Sequence, residues 1–309
     1  MMTPFLGAIF LFFASLFLAP FLMGVILKVK AFFGGKKGPS LLIKYHTLAK
    51  LLRKGSVYSR STTFIFGLGP LVSLAASLTG LAFLPIAGQN PVFSFPGDVV
   101  FVWYLFGLAR FFVAAAALDT ASPFEGMGAA REVFFGLLTE AAIFLVFLQF
   151  AFLSGQYSLA SFLAGEGAIN IFSREGFLLV LIVPAIFFVM LTENARVPVD
   201  DPATHLELTM IHEVMILDHS GPDLAIMEAA VFARMFFYAA FIADLLLPGG
   251  FGPGMRILLF FLLLLLIYLA IGVLESITAR LKMDQVPKFI LTSFALAFFA
   301  IILSLEVTP

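Results

Sequence analysis

Apolar residues gather in eight long runs, near 3–27, 62–87, 98–118, 133–153, 175–192, 224–247, 255–275 and 288–305, and the polar residues crowd between them. Each run approaches the roughly 20 residues that an α-helix needs to cross the hydrocarbon of a bilayer. In lipid a helix satisfies its backbone amides within its own segment, and these runs are too continuous for the alternating strands of a barrel. The pattern predicts an all-α polytopic membrane protein, a single domain over 1–309 built as a bundle of eight transmembrane helices. Pro70 and Pro184 fall inside spans and predict kinks there. The first run lacks a basic leader and ends in Lys28 and Lys30, which reads as a retained span and not a cleaved signal peptide.

Composition agrees. The chain is 61% hydrophobic and 12% charged, where a soluble domain carries about 25% charged residues. A net charge of -1 provides no basic excess to hold nucleic acid. Nine of the 18 Lys and Arg residues lie in connector 28–61, and Arg131, Arg196, Arg280, Lys282 and Lys288 fall in loops on the same side, against Arg174 and Arg256 on the other. The positive-inside rule then makes that side cytoplasmic and puts both termini outside, in a cytoplasmic (inner) membrane. With no cysteine the chain cannot ligate an iron–sulfur or nickel–iron centre by itself, and its four histidines lie in connectors, where a membrane haem has no use for them.

Two cytoplasmic connectors are long. In 28–61 the stretch 40–54 alternates leucines with bases at helical spacing and is expected to lie flat at the interface, against anionic lipid. In 193–223 seven acids (Glu193, Asp200, Asp201, Glu207, Glu213, Asp218 and Asp223) surround His205, His212 and His219, with Arg196 as the single arginine. Histidines seven apart share a helix face but sit about 10.5 Å from one another, too far for one metal ion. His212-Glu213 begins like a zinc-protease motif, but Ile216 stands where the second histidine would be. Asp200-Asp201-Pro202 could supply hard-ion ligands, or Asp201 could cap a helix. So many carboxylates predict raised proton affinities and histidines that titrate near neutral pH, suited to a proton relay, a charge-sensitive switch or a salt-bridged contact with a partner.

Charges inside spans cost several kcal/mol unless paired or hydrated. Glu140 lies within the fourth run, Arg110 within the third with Asp119 at its end, Glu228, Arg234 and Asp244 along the sixth, and Glu275 at the end of the seventh. Glu228 and Arg234, six apart, face different ways, so each is expected to pair with another span.

Three blocks carry a resemblance: Lys36-Lys37-Gly38-Pro39, Leu118 to Phe124 continued through Arg131-Glu132, and Glu193 to Gly221. They resemble the eight-helix membrane subunit shared by respiratory complex I and group 4 membrane-bound nickel–iron hydrogenases of the formate hydrogenlyase type. The resemblance implies a non-redox subunit, binding no cofactor itself, that holds a hydrophilic redox module carrying the nickel–iron and iron–sulfur centres and joins it to antiporter-like membrane subunits. Lys36, Lys37, Arg131, His212 and His219 are the expected docking residues. The expected ion path takes Arg110, Asp119, Glu132, Glu140, Glu193, Arg196, Asp200, Asp201, His205, Glu207, Glu213, Asp218, Glu228 and Arg234. Ala203 and His205 stand where complex I has further glutamates, and Asp218-His219 replaces its Glu-Tyr. These departures favour the hydrogenase-like branch over a quinone-binding one. A stand-alone secondary ion transporter is the alternative from another class, and an inert anchor for the redox module is a third.

Overall fold

A computed structural model describes residues 2–163, 176–201, 210–248 and 250–307. Eight helices among them are long and apolar enough to cross a membrane: α1 (Met2–Phe33), α3 (Phe64–Phe83), α4 (Asp98–Asp119), α5 (Pro123–Ser154), α7 (Leu179–Glu193, its span extended by a 3-10 turn at Gly176–Leu178), α9 (Gly221–Leu245), α10 (Pro253–Ile277) and α11 (Val286–Val307), with the short α2 (Ile43–Leu52), α6 (Leu159–Leu163) and α8 (His212–Met215) between them. The all-α polytopic fold is thus as read from hydropathy.

Local chemistry sets the boundaries. Thr63 caps α3, its side chain accepting the Ile65 amide. Pro123, Pro222 and Pro253 stand in the first turns of α5, α9 and α10, where a missing N–H removes a donor that has no helical partner anyway. Gly155, at φ +66°, closes α5 in the left-handed conformation, its amide donating to the Ala151 carbonyl. The fourth apolar run begins near 133, yet α5 begins ten residues earlier at Pro123. Glu125, Arg131 and Glu132 break the hydropathy of that first stretch without breaking its helix. α2 forms where the amphipathic pattern put it, with no residue fully buried, and packs on α1 and α9.

The bundle is built around α9, which packs on α1, α2, α3, α6, α7 and α10 and meets rings of α4 and α5. In its most apolar window 78% of residues are buried, against 28% in α10 and in α11. Close approach of α3, α4 and α9 requires Gly69, where a Cβ would come within 2.9 Å of the Ala116 methyl. α5 leans on α4, α7 and α11, and the short α8 rests against α5 and α4, setting part of the acidic connector over one end of the bundle.

Candidate functional site

The fold brings carboxylates from two helices, α5 and α7, to one guanidinium on α4. Arg110 projects from α4 and is 9% exposed; its Nη1 lies 2.6 Å from Glu140 Oε1, its Nη2 2.5 Å from Glu193 Oε1, and its Nε 3.7 Å from Glu132 Oε1. Glu132 and Glu140 lie eight apart on one face of α5, and Gly136 stands midway between them. A Cβ at Gly136 would press within 2.5 to 2.7 Å of the Arg110 guanidinium, so glycine is what leaves it room. Glu193, the last residue of α7, also accepts the Thr139 hydroxyl at 2.6 Å. Arg234 of α9 is buried nearby and acts electrostatically on Glu193, Glu132 and His212 without an ion pair within 4 Å among the described residues. Three carboxylates against two guanidiniums leave one negative charge in excess, which a single proton can neutralise.

A second cluster ties the start of connector 193–223 to the bundle. Glu275, its side chain wholly buried at the end of α10, sits 3.0 Å from Lys30 Nζ and 2.6 Å from Arg196 Nε. The angle at Arg196 is not that of a hydrogen bond, so this contact is an ion pair only. Asp200 pairs with Arg280 at 2.9 Å and accepts the amides of Ile211 and His212 at 3.0 and 3.1 Å, holding α8 at its first turn. Asp201 lies at 4.0 Å from Lys30.

Between α1, α2, α9 and the connector lies a cavity of about 410 Å³. Met23, Leu27, Met227 and Phe232 give it apolar walls, and Lys44, Glu213, Glu228, Asn194 and His212 line its polar part. His212 Nε2 and Asn194 Oδ1 are buried there without hydrogen-bond partners among the described residues. Glu228 pairs with Lys44 at 3.5 Å, so its partner comes from the connector helix α2 and not from another span. Burial first, then Asp200 and Glu228, push the Glu213 carboxyl up to about 7.

Other candidates fall elsewhere. Asp119 caps the start of α3, accepting from Thr63 N at 2.6 Å and Thr63 Oγ1 at 2.9 Å. Nine residues along α4 place it about 13.5 Å from Arg110, so it does not belong to the cluster. Asp218 is exposed, and its amide donates to Glu125. Lys36 and Lys37 are exposed, while Arg131 donates to the Met210 carbonyl across the interior of the fold. His212 and His219, expected at a docking surface and near neutral pH, are instead buried inside this chain at 8% and 3% exposure. Burial, joined at His212 by Arg234, lowers their imidazoles to about 3 and about 4, and His219 stacks on Phe66 at 3.9 Å. His205 and Glu207 lie outside the described residues. Thr139, Lys30, Lys44 and Arg280 were not among the expected site residues, and only the Glu132-Gly136-Glu140 spacing was there to be seen.

Comparison with known proteins finds relatives of the whole chain. The chain is 28% identical over 293 residues to formate hydrogenlyase subunit 4 of Escherichia coli (strain K12), covering 92% of this chain and 93% of that one. To hydrogenase-4 component C of the same organism it is 27% identical, with 92% and 91% coverage. An NADH-quinone oxidoreductase subunit of Anaplasma marginale is 24% identical, over 73% and 68% of the two chains. A chain in the structure of the membrane-bound sulfane sulfur reductase, an archaeal respiratory membrane complex, shares the fold at a TM-score of 0.81 and 20% identity, covering 97% of this chain and 99% of that one. A family model described as NADH dehydrogenase matches residues 6–305, and the chain is a multi-pass membrane protein belonging to that family.

Proposed function

We propose that this chain is the membrane-arm subunit of an ion-translocating, hydrogenase-like respiratory oxidoreductase in the cytoplasmic membrane, with both termini outside. It holds a hydrophilic redox module against connectors 28–61 and 193–223 and turns that module's electron transfer into proton or sodium movement. The module brings the nickel–iron and iron–sulfur centres, and antiporter-like membrane subunits take up the coupling laterally.

The observation that carries this reading is the sharing of Arg110 between Glu193 and Glu140. Glu193 belongs to the root of the acidic connector. The Glu140 side chain is 37% exposed, beside exposed Phe111, Leu137 and Phe144 on the α4–α5 face. A carboxylate half open to hydrocarbon is costly, so that face calls for a neighbouring membrane subunit. Two unit charges 4 Å apart interact by about 4 kcal/mol at an effective dielectric of 20, about three pKa units. A redox-driven shift of charge or loop near Asp200 and Glu213 that loosens Glu193 from Arg110 leaves the guanidinium to Glu140 and Glu132. The proton affinity of Glu140 then changes, and with it the signal passed sideways. Glu140→Gln in the intact complex should abolish ion transport while electron transfer by the module stays partly active; transport at the wild-type rate would refute the role.

The cavity favours a second reading, a quinone site as in complex I-like dehydrogenases. Its unpartnered His212 and Asn194 atoms fit a polar headgroup and its apolar walls fit a tail. A quinone would supply a two-electron acceptor there. Met227→Trp, which fills the cavity, should then confer resistance to a quinone-analogue inhibitor; activity indifferent to both analogue and substitution leaves the hydrogenase-like reading.

A further inference from the structure

At the end of the bundle away from the basic connectors, α1 and α10 leave an open groove of about 410 Å³. Gly7, Phe10 and Ala14 line it from α1, Ile257 and Phe261 from α10, and Gln89 is its polar rim. Phe10 is 72% exposed, so the groove faces the membrane and not the core. Next to Gln89, the guanidinium of Arg256 lies over Gly88, where a Cβ would come within 3.0 Å of its Nε; only a glycine seats it there. Arg256 Nε has no hydrogen-bond partner, and no carboxylate lies within 4 Å of that side chain among the described residues. Asp244, on which Arg256 acts electrostatically, accepts the Gly88 amide at 2.9 Å.

We propose that this groove seats one acyl chain of an anionic phospholipid from the leaflet opposite the basic connectors, with the headgroup phosphate against Arg256. A helix is about 10 Å across, and one turn alone fills ~400 Å³. The groove would therefore accept only about a turn of a partner helix, whereas a flexible chain can thread it along its length. An apolar groove open to hydrocarbon, beside a guanidinium with no carboxylate within 4 Å among the described residues, complements a lipid at both of its ends.

The test uses the intact complex, stripped of bound lipid in detergent and reloaded with dioleoyl phosphatidylglycerol or dioleoyl phosphatidylcholine, retained lipids being counted by native mass spectrometry. The wild type should retain phosphatidylglycerol preferentially. Arg256→Gln should lower the phosphatidylglycerol-to-phosphatidylcholine ratio about fivefold, the equivalent of about 1 kcal/mol for one basic residue at a lipid surface. Gly7→Leu should leave one fewer lipid of either kind bound. A Cβ at Gly7 meets nothing within 4 Å, so that variant fills the groove without disturbing the core, and unchanged fluorescence of Trp103 would verify its folding. An unchanged ratio in Arg256→Gln, or an unchanged lipid count in Gly7→Leu, overturns the proposal. Loss of a neighbouring subunit from Gly7→Leu with the count unchanged would overturn it in favour of a protein occupant.

Discussion

Removing the Arg110 guanidinium should destabilise the bundle more than any other single change to its charges. In Arg110→Met, Glu193, 5% exposed, loses its 2.5 Å partner and keeps only the Thr139 hydroxyl, while Glu132 and Glu140 lose their shared cation. Breaking a buried pair by removing one partner costs about 3–5 kcal/mol, because the other charge is left uncompensated. Arg234 acts on Glu193 and Glu132 as well, which places the expectation at the low end, about 3 kcal/mol. Replacing both members of a buried pair by apolar groups is often nearly neutral, so Arg110→Met combined with Glu193→Met should recover the part of that loss due to Glu193 and leave the part due to Glu132 and Glu140. Arg110→Lys should not rescue, since one ammonium cannot reproduce a fork that reaches three carboxylates. The assay is denaturation in mixed micelles followed by the fluorescence of Trp103, the chain's single tryptophan, which is buried on α4 against Phe106, Phe147 and Tyr238. A single variant within 1 kcal/mol of wild type, or a double variant no better than the single, would refute the buried-network reasoning.

Three further outcomes follow from the same geometry. Gly136→Ala should displace the guanidinium and reproduce the transport defect of Glu140→Gln, measured as ion uptake into vesicles, although no charge has been removed. Asp119→Ala should cost about 1 kcal/mol through the start of α3, as loss of a helix cap does, and leave coupled transport intact. Glu213, at about 7 in place of 4.5, resists ionising in the folded chain. Its penalty is absent below about pH 4.5, grows as pH rises and is complete above about 7. Glu213→Gln should therefore unfold later than wild type at pH 8 and lose that advantage by pH 4.5, as read from Trp103 across a pH series.

The eight spans were legible because hydrophobic length is a local property, and the error at α5 shows the limit. A window sees Glu125, Arg131 and Glu132 as the end of an apolar run, whereas the helix needs only Ser122, Pro123 and intact backbone bonding to start there. The network was half legible. Arg110, Glu132, Glu140 and Glu193 could each be singled out as costly charges, but partners 30 and 83 residues apart are joined only by helix packing. The histidines misled for a related reason. Their clustering with acids in the chain forecast titration near neutral pH, and burial, which composition does not report, pushes His212 and His219 down. Lys30 and Glu275 were visible as charges at helix ends, yet nothing in their own segments says that they meet.

The enclosure of α9 bears on how such a chain is made. It holds Glu228, Arg234 and Asp244, a poor candidate for release into lipid alone. Its neighbours α1 to α7 are translated before it, and among the described residues only α10 of its main neighbours comes afterwards. The earlier helices can thus form a half-built cradle in which each of those charges finds company on arrival, and α10 closes over it. On this view a nascent chain halted before α9 would expose an unfilled polar seam, a natural mark for quality-control proteases in the membrane.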